Sequence, residues 1–551
     1  MLKKISIFLL LLVAVYSRFL NLDWDQGWGF HPDENNLWGA SRRVELFSRT
    51  DPEFYAYGGF PIYLYSLLSD KVEARAVSAL AQTLIVILLF VIGRRLAGWN
   101  GGFLAAAMGT FSAGLVQAGH FLTVESLIGL FSLALFWSLL NYDDSLNKLR
   151  DSVVKKGIKS NVWLTVAIVV LGLGVGTKLS FVVFALPFFG RALIRRGGSV
   201  GVPEPRSRAL ARHARRACEQ VSVLLGLFIV AISIFLLTNP FIFSKLSDVR
   251  STLEYEAKVA TGTALVFYTR QFMDTIPGWV QAMHVFPYVI GWLFVPLFLI
   301  GVIRVIREIG FKESPCRTAR RLLIISIFSA FLSFLPFWAK WTRYVVQVLP
   351  ILILIAGVGA GWMWERGKLG KALAIATIIS FIPQFLLTVN VYANEDSRVK
   401  AAEWAEVNIP ERAKIFTEAM DLGIMPFNQT VGSQNITLFN FYELDDDKTS
   451  VSQKKLDALV KESDYFISVS QRVYGNSLVH PDKFPHSARF YNSLFDGSLG
   501  YNKIYESESP FTFYLLPFTF SSPEETFSVF DHPRVLIFKN LNEKSSLDQN
   551  P

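Results

Sequence analysis

Apolar residues dominate the first 390 positions of this chain and fall into blocks, each close to the length that crosses a bilayer. A spanning helix needs about 20 mostly apolar residues to cover roughly 30 Å of hydrocarbon. Eleven blocks qualify or come near: 4–20, 73–93, 101–118, 121–141, 161–177, 179–194, 221–239, 285–303, 322–338, 344–363 and 372–391. The stretch 57–69 (YGGFPIYLYSLLS) is apolar but too short, so it is expected to hug the membrane surface. Near residue 391 the pattern changes. A helical period over Arg398–Val407 is followed by Pro410, and strand-like segments occur at Lys414–Glu418, Tyr465–Val469 and Arg534–Phe538. The expected architecture is mainly α: a polytopic transmembrane helix bundle over 1–390, with an outer loop at 21–72, and a soluble α/β domain over 391–551.

Charge gives the bundle a direction. Lys3 and Lys4 precede the first block and Arg94 and Arg95 follow the second. Five Lys/Arg lie in 142–160, eight in 191–216, six in 304–321 and three in 366–371, so every second loop is basic. Basic loops stay on the cytoplasmic side. This puts the N-terminus inside and the C-terminal domain outside, in the plasma (inner) membrane. The first block lacks a convincing small-residue cleavage site and is expected to be an anchor.

Composition agrees with that class. The 551 residues are 52% hydrophobic and only 18% charged, against about 25% charged in soluble proteins. The net charge of +9 would suggest nucleic acid in a soluble chain, but here the cations sit between apolar blocks and act as topology signals. The partner is the lipid bilayer. The only cysteines, Cys218 and Cys316, fall in loops expected to be cytoplasmic, so no disulfide holds the exported part.

The chemistry concentrates at the outer ends of the blocks. The first outer loop reads Asp23-Trp-Asp-Gln-Gly-Trp-Gly-Phe-His-Pro-Asp33-Glu34. Adjacent carboxylates can supply a general base and a ligand for a cation or hydroxyl. Trp24, Trp28 and Phe30 suit stacking on a sugar, and equally an interfacial aromatic belt. Glu125 falls inside the fourth block, where an acid costs up to about 3 kcal/mol and normally faces protein or a water-filled cavity. Lys178 lies between the fifth and sixth blocks, and Lys340 and Arg343 between the ninth and tenth. Singly, each cation could be snorkelling to headgroups. Together, acids and cations at the outer leaflet run against the positive-inside trend and suit an enzyme that handles a lipid phosphate. Cations would hold the phosphate as it leaves, and a carboxylate would take the proton of the incoming hydroxyl.

Four motifs, HPDE at 31–34, HFLTVES at 120–126, TKLS at 177–180 and KWTRYVVQVLP at 340–350, resemble the polyprenyl-phosphate-sugar glycosyltransferases of GT-C fold. The branch is that of the protein O-mannosyltransferases and aminoarabinose transferases. Segments 268–292, 391–421 and 527–540 (FSVFDHPRVLIFKN) also look like bacterial members. The resemblance implies two amphipathic juxtamembrane helices in the first outer loop and an inverting, single-displacement hexosyl or pentosyl transfer to a hydroxyl acceptor on protein, lipid or glycan. By the same resemblance Asp33 is the candidate base, with Glu34 and Glu125 as further catalytic acids. Lys178, Arg343 and Lys340 are the candidate donor-phosphate ligands, and His31, His120, Tyr344 and Trp28 the candidate substrate contacts. Relatives often carry Asp where this chain has Glu125. No His/Cys cluster has metal-ligand spacing. A divalent cation therefore stays open and none is expected to be obligatory.

Two other classes share some of these features. Intramembrane charges also serve transporters and lipid flippases, but there is no internal repeat and the charges sit at one leaflet. A scaffold or glycan-binding subunit would not need the acidic pair and the outer cations together.

Overall fold

The computed structural model describes residues 1–45, 48–150, 157–193, 228–310, 317–419, 424–432, 435–508 and 523–542. Both cysteines, most of the basic stretch 191–216 and the start of the block 221–239 lie outside these residues.

Helices follow the apolar blocks, but the blocks are broken more often than hydropathy alone suggests. Among the described residues three helices are long and apolar enough to cross a membrane unaided: Lys71–Thr110, Glu125–Ser145 and Gly367–Ala393. The first holds two of the expected spans. Its helical geometry fails at Ala97 and Gly98, and Gly98 has φ +69°, a left-handed conformation that glycine adopts without strain. The chain folds back there. The second leg ends at Thr110, and the expected span 101–118 continues as a separate helix, Ala113–His120, started by the Ser112 hydroxyl, which accepts from Leu115 N at 3.3 Å. The expected span 285–303 is bent by 101° between Gln281–Val289 and Phe294–Ile309. Shorter apolar helices lie at Val162–Thr177, Leu179–Gly190, Phe228–Leu237 and Leu349–Trp364.

Leu349–Trp364 is the axis of the bundle. Every residue from Leu349 to Gly361 is buried, as expected of a helix that is apolar on all sides. It packs on Lys71–Thr110, Phe294–Gly310 and Glu125–Arg150. Peripheral helices instead leave apolar side chains uncovered, among them Phe8, Leu12 and Tyr16 on Leu2–Phe19, Leu299 and Ile303 on Phe294–Gly310, and Leu373 and Ile379 on Gly367–Ile379. Apolar surface on that scale belongs against lipid, and the chain is a multi-pass membrane protein.

The C-terminal part forms a five-stranded sheet in the order β2-β1-β3-β5-β4, from β1 Ile415–Glu418, β2 Ile436–Phe439, β3 Tyr465–Ser468, β4 Tyr501–Glu506 and β5 Leu536–Asn540. β1 runs parallel to β2 and β3, and β5 is antiparallel to β3 and β4. Alternation sorts the two faces. Phe416, Phe466 and Phe538 pack with Leu456, Phe490 and Tyr491 on one side. Ile415, Ile467 and Ile537 pack with Ala401 and Ala405 of helix Ser397–Asn408 on the other.

Candidate active site

The first outer loop is anchored by a buried charge cluster. Arg75, four residues into helix Lys71–Thr110, pairs with Glu34 at 2.6 Å and Asp25 at 2.8 Å, and all three side chains are sealed from solvent. Arg75 also donates to Leu22 O at 2.9 Å, and Glu34 accepts from Leu122 N at 2.6 Å. The helix Pro32–Arg43 therefore starts at a fixed point. Proline presets its first φ, and Asp33 and Glu34 in its first turn suit the positive end of the helix dipole. Successive residues of a helix point some 100° apart, so fixing Glu34 inward turns Asp33 another way.

Asp33 pairs with Arg343, at the start of the short helix Thr342–Val346. Their side chains are 25% and 29% exposed, which makes this pair accessible where Glu34 and Arg75 are not. Close by, Lys178 lies 4.0 Å from Glu125 and 3.5 Å from Gln347 Oε1. The rings of Tyr344 and Tyr57 flank its ammonium at 5.2 and 5.8 Å. The turn carrying Lys178 is held by Gly58, whose N–H donates to Thr177 O at 2.9 Å. A Cβ on Gly58 would sit 2.0 Å from Gly176 O, so only glycine lets the two backbones meet.

Asp33, Arg343 and Glu125 line one cavity together with His31, Gln117, Phe121, Thr123, Thr342, Thr526 and Phe530, and it encloses about 430 Å³ counting its open mouth. His31 is buried, stacks on Phe530 at 4.1 Å, and its Nδ1 has no hydrogen-bond partner among the described residues. Burial lowers its pKa below the ordinary value, partly opposed by Glu34 and Asp33, so the ring is neutral at pH 7. For Asp33 burial works upward, but Arg343, helped by His31 and Lys178, outweighs it and holds the carboxyl below its ordinary value.

The structure thus brings together Asp33, Glu125, Lys178, Arg343 and His31, with Tyr344 beside Lys178. Of these, Asp33, Glu125, Arg343 and His31 form part of the cavity wall and Lys178 reaches it through Glu125, while the other candidates lie elsewhere. Glu34 is turned into the Arg75 cluster. Lys340 is buried, donates to Trp338 O at 2.6 Å and lies near the Phe272 ring. His120 stacks on Tyr392 at 3.5 Å, with ring nitrogens 2.9 and 2.8 Å from Val116 O and Leu20 O. Trp28 packs against an apolar cluster that joins Trp24 and Phe30 to Phe121, Tyr392 and Phe530. Glu125 is the first residue of its spanning helix rather than one several residues inside it. The first outer loop carries two helices, Pro32–Arg43 and Gly59–Ser66, the second with no charged residue.

Several lining residues carried no mark in the sequence. Arg75 reads as one more cation near a span end. Gln117 and Thr342 are small polar residues in apolar context. Thr526 and Phe530 come from the distant C-terminal segment, whose motif was legible but not its place. Glu256 also lies within electrostatic reach of Asp33, Arg343 and Lys178. Among the described residues no group of three His, Cys, Asp or Glu side chains could hold a metal ion.

A helical membrane bundle with paired acids and cations in one cavity has the equipment for transfer of a group from a charged lipid. Residues 63–244, a third of the chain, match the family model of dolichyl-phosphate-mannose-protein mannosyltransferases. The match agrees with the resemblance read from the motifs. Curated proteins show no match. Among solved structures, the apo oligosaccharyltransferase of Archaeoglobus fulgidus is similar at 12% identity and TM-score 0.48, covering 98% of this chain and 88% of that one. ArnT from Cupriavidus metallidurans bound to undecaprenyl phosphate is similar at 14% identity and TM-score 0.45, covering 84% of this chain and 92% of that one. Likeness at that level carries no weight for the site.

Proposed function

We propose that the chain transfers a sugar from a polyprenyl-phosphate donor to a hydroxyl acceptor on the outer face of the plasma (inner) membrane, with inversion at the anomeric carbon. The observation that carries this reading is the meeting of Asp33, Arg343 and Glu125 in the wall of one cavity, with Lys178 4.0 Å from Glu125. In this reading the N-terminus is cytoplasmic, residues 1–390 are the catalytic bundle, and residues 391–551 are the extracytoplasmic domain. The family description makes a mannosyl donor the first to try.

The acceptor oxygen attacks the anomeric carbon, the bond from that carbon to the phosphate oxygen breaks with its electrons on the phosphate, and the acceptor proton passes to Asp33. Arg343 and Lys178 bind the phosphate and stabilise its growing charge. A donor phosphate competes with Asp33 for Arg343. As the guanidinium turns to the phosphate, the influence that lowers the Asp33 pKa weakens and burial, which raises it, prevails. Donor binding thereby makes Asp33 a stronger base. Lys178 and Arg343 supply the positive charge that a divalent cation would otherwise bring, so no cofactor is obligatory.

The test is donor affinity. Lys178→Ala and Arg343→Ala each remove a charge-assisted contact of about 1.5–3 kcal/mol, so binding of a polyprenyl-phosphate sugar should weaken roughly 10- to 150-fold. Unchanged affinity in both variants refutes the donor site.

A further inference from the structure

The cavity is not built by the bundle alone. The segment Glu524–His532, which leads into β5, crosses from the C-terminal sheet to the bundle and places Thr526 and Phe530 in the cavity wall. It is bolted down along its length. Phe527 O accepts from Gln117 at 2.6 Å, Phe530 O accepts from Arg398 at 2.6 Å, and Asp531 accepts from Tyr392 at 2.5 Å and Gln117 at 3.0 Å. The first bolt lies closest to the chemistry. One carboxylate oxygen of Glu524 accepts from both the backbone N–H and the hydroxyl of Thr342, each at 2.8 Å. The other accepts from Gln271 at 3.0 Å, and Glu524 N–H donates to His284 O at 2.9 Å. Glu524 and Thr342 are both buried.

Thr342 immediately precedes Arg343 and begins the five-residue helix that presents it. A short helix cannot fix its own first residue, since its leading N–H groups have no partner within it. Glu524 supplies that partner with a charged acceptor, the strong kind of hydrogen bond. We infer that the segment Glu524–His532 is an integral part of the donor site and that Glu524 is a positioning residue for Arg343. This rests on the reading of Arg343 as a donor-phosphate ligand. The C-terminal domain then does more than face the outside: its docking sets the angle from which the guanidinium meets both Asp33 and the phosphate.

The test measures binding of undecaprenyl phosphate to the purified full-length protein, on the monodisperse fraction of each variant. Glu524→Ala removes both bonds to Thr342 and should weaken binding about tenfold, the size of one lost charge-assisted contact. Glu524→Gln keeps a carbonyl oxygen that can accept both bonds, and should bind nearly as wild type does. Thr342→Val removes only the hydroxyl bond, should give an intermediate loss, and remains readable if Glu524→Ala does not fold. A merely structural role would lower the melting temperature and leave the affinity of the folded fraction unchanged. Wild-type affinity in whichever of Glu524→Ala and Thr342→Val folds overturns the inference, as does equal loss in Glu524→Gln and Glu524→Ala. Arg343→Ala is the control. If it weakens binding while the Glu524 variants do not, only the positioning role fails; if it binds normally, the donor-site reading fails first.

Discussion

Replacing Glu34 by glutamine should separate two neighbouring carboxylates that look equivalent in the sequence. Glu34 gives Arg75 two contacts, 2.6 Å to Nη2 and 3.2 Å to Nε, and accepts from Leu122 N at 2.6 Å. Arg75 keeps Asp25 at 2.8 Å and Leu22 O at 2.9 Å in the variant. Removing one partner of a buried ion pair costs about 3–5 kcal/mol, and the surviving Asp25 contact puts Glu34→Gln at the lower end, about 3 kcal/mol. That is a large part of a typical folding free energy of about 5–15 kcal/mol. Arg75→Met leaves two buried carboxylates unpaired and should cost more. The assay is the fraction of monodisperse protein left after graded heating in detergent, together with turnover per remaining folded molecule. Both variants should lose protein at lower temperature, Arg75→Met more than Glu34→Gln, while folded Glu34→Gln retains most of its turnover. A Glu34→Gln protein as heat-stable as wild type but inactive would refute the reasoning and move Glu34 into the reaction.

Two further outcomes follow from the geometry. Because Arg343 and its neighbours hold the Asp33 carboxyl below its ordinary 3.8, the wild-type acid limb of kcat/KM should lie below that pH. The carboxylate is the active form, so activity falls as pH drops through its pKa. Arg343→Gln removes the main lowering influence and leaves burial to raise it, so the limb should move to higher pH, and an unmoved limb in a variant with measurable turnover counts against Asp33 as the base. A reporter enzyme fused after residue 391 should be active outside the cytoplasm and one placed within 191–216 inside; the reverse would put Asp33, Lys178 and Arg343 on the wrong side for the proposed reaction.

The helical class was legible because apolar blocks of spanning length leave few alternatives, and the fully buried strands β1 and β3 stood out as short apolar runs. β2 and β4, at the sheet edges with much of their surface exposed, carried no such signal. The breaks in the blocks were hidden for a different reason. Gly98 and Ser112 reverse or restart a helix through local backbone geometry and a single cap, which hydropathy averages over. In the site, Glu125, Lys178 and Arg343 were visible because a charge beside an apolar block has a cost that needs a reason. Arg75 had a ready alternative explanation in snorkelling, so its pairing with Asp25 and Glu34 went unseen. Phe530 and Glu524 are common residue types in a soluble domain, and only the tertiary fold brings them to residues 180 or more positions away.

The central claim is that Asp33 is the base of a sugar transfer, and the most direct measurement is mass spectrometry of envelope glycans and glycoproteins in cells carrying wild type, Asp33→Asn or a deletion of this gene. Asn is nearly isosteric with Asp and cannot take the proton, and loss of a general base typically slows turnover about 10²–10⁴-fold. The expected result is a glycan species present in wild type and missing from the deletion strain, and equally missing or nearly so with Asp33→Asn at wild-type protein abundance. Normal levels of that species with Asp33→Asn would contradict the mechanism, and identical glycans in all three strains would contradict the function.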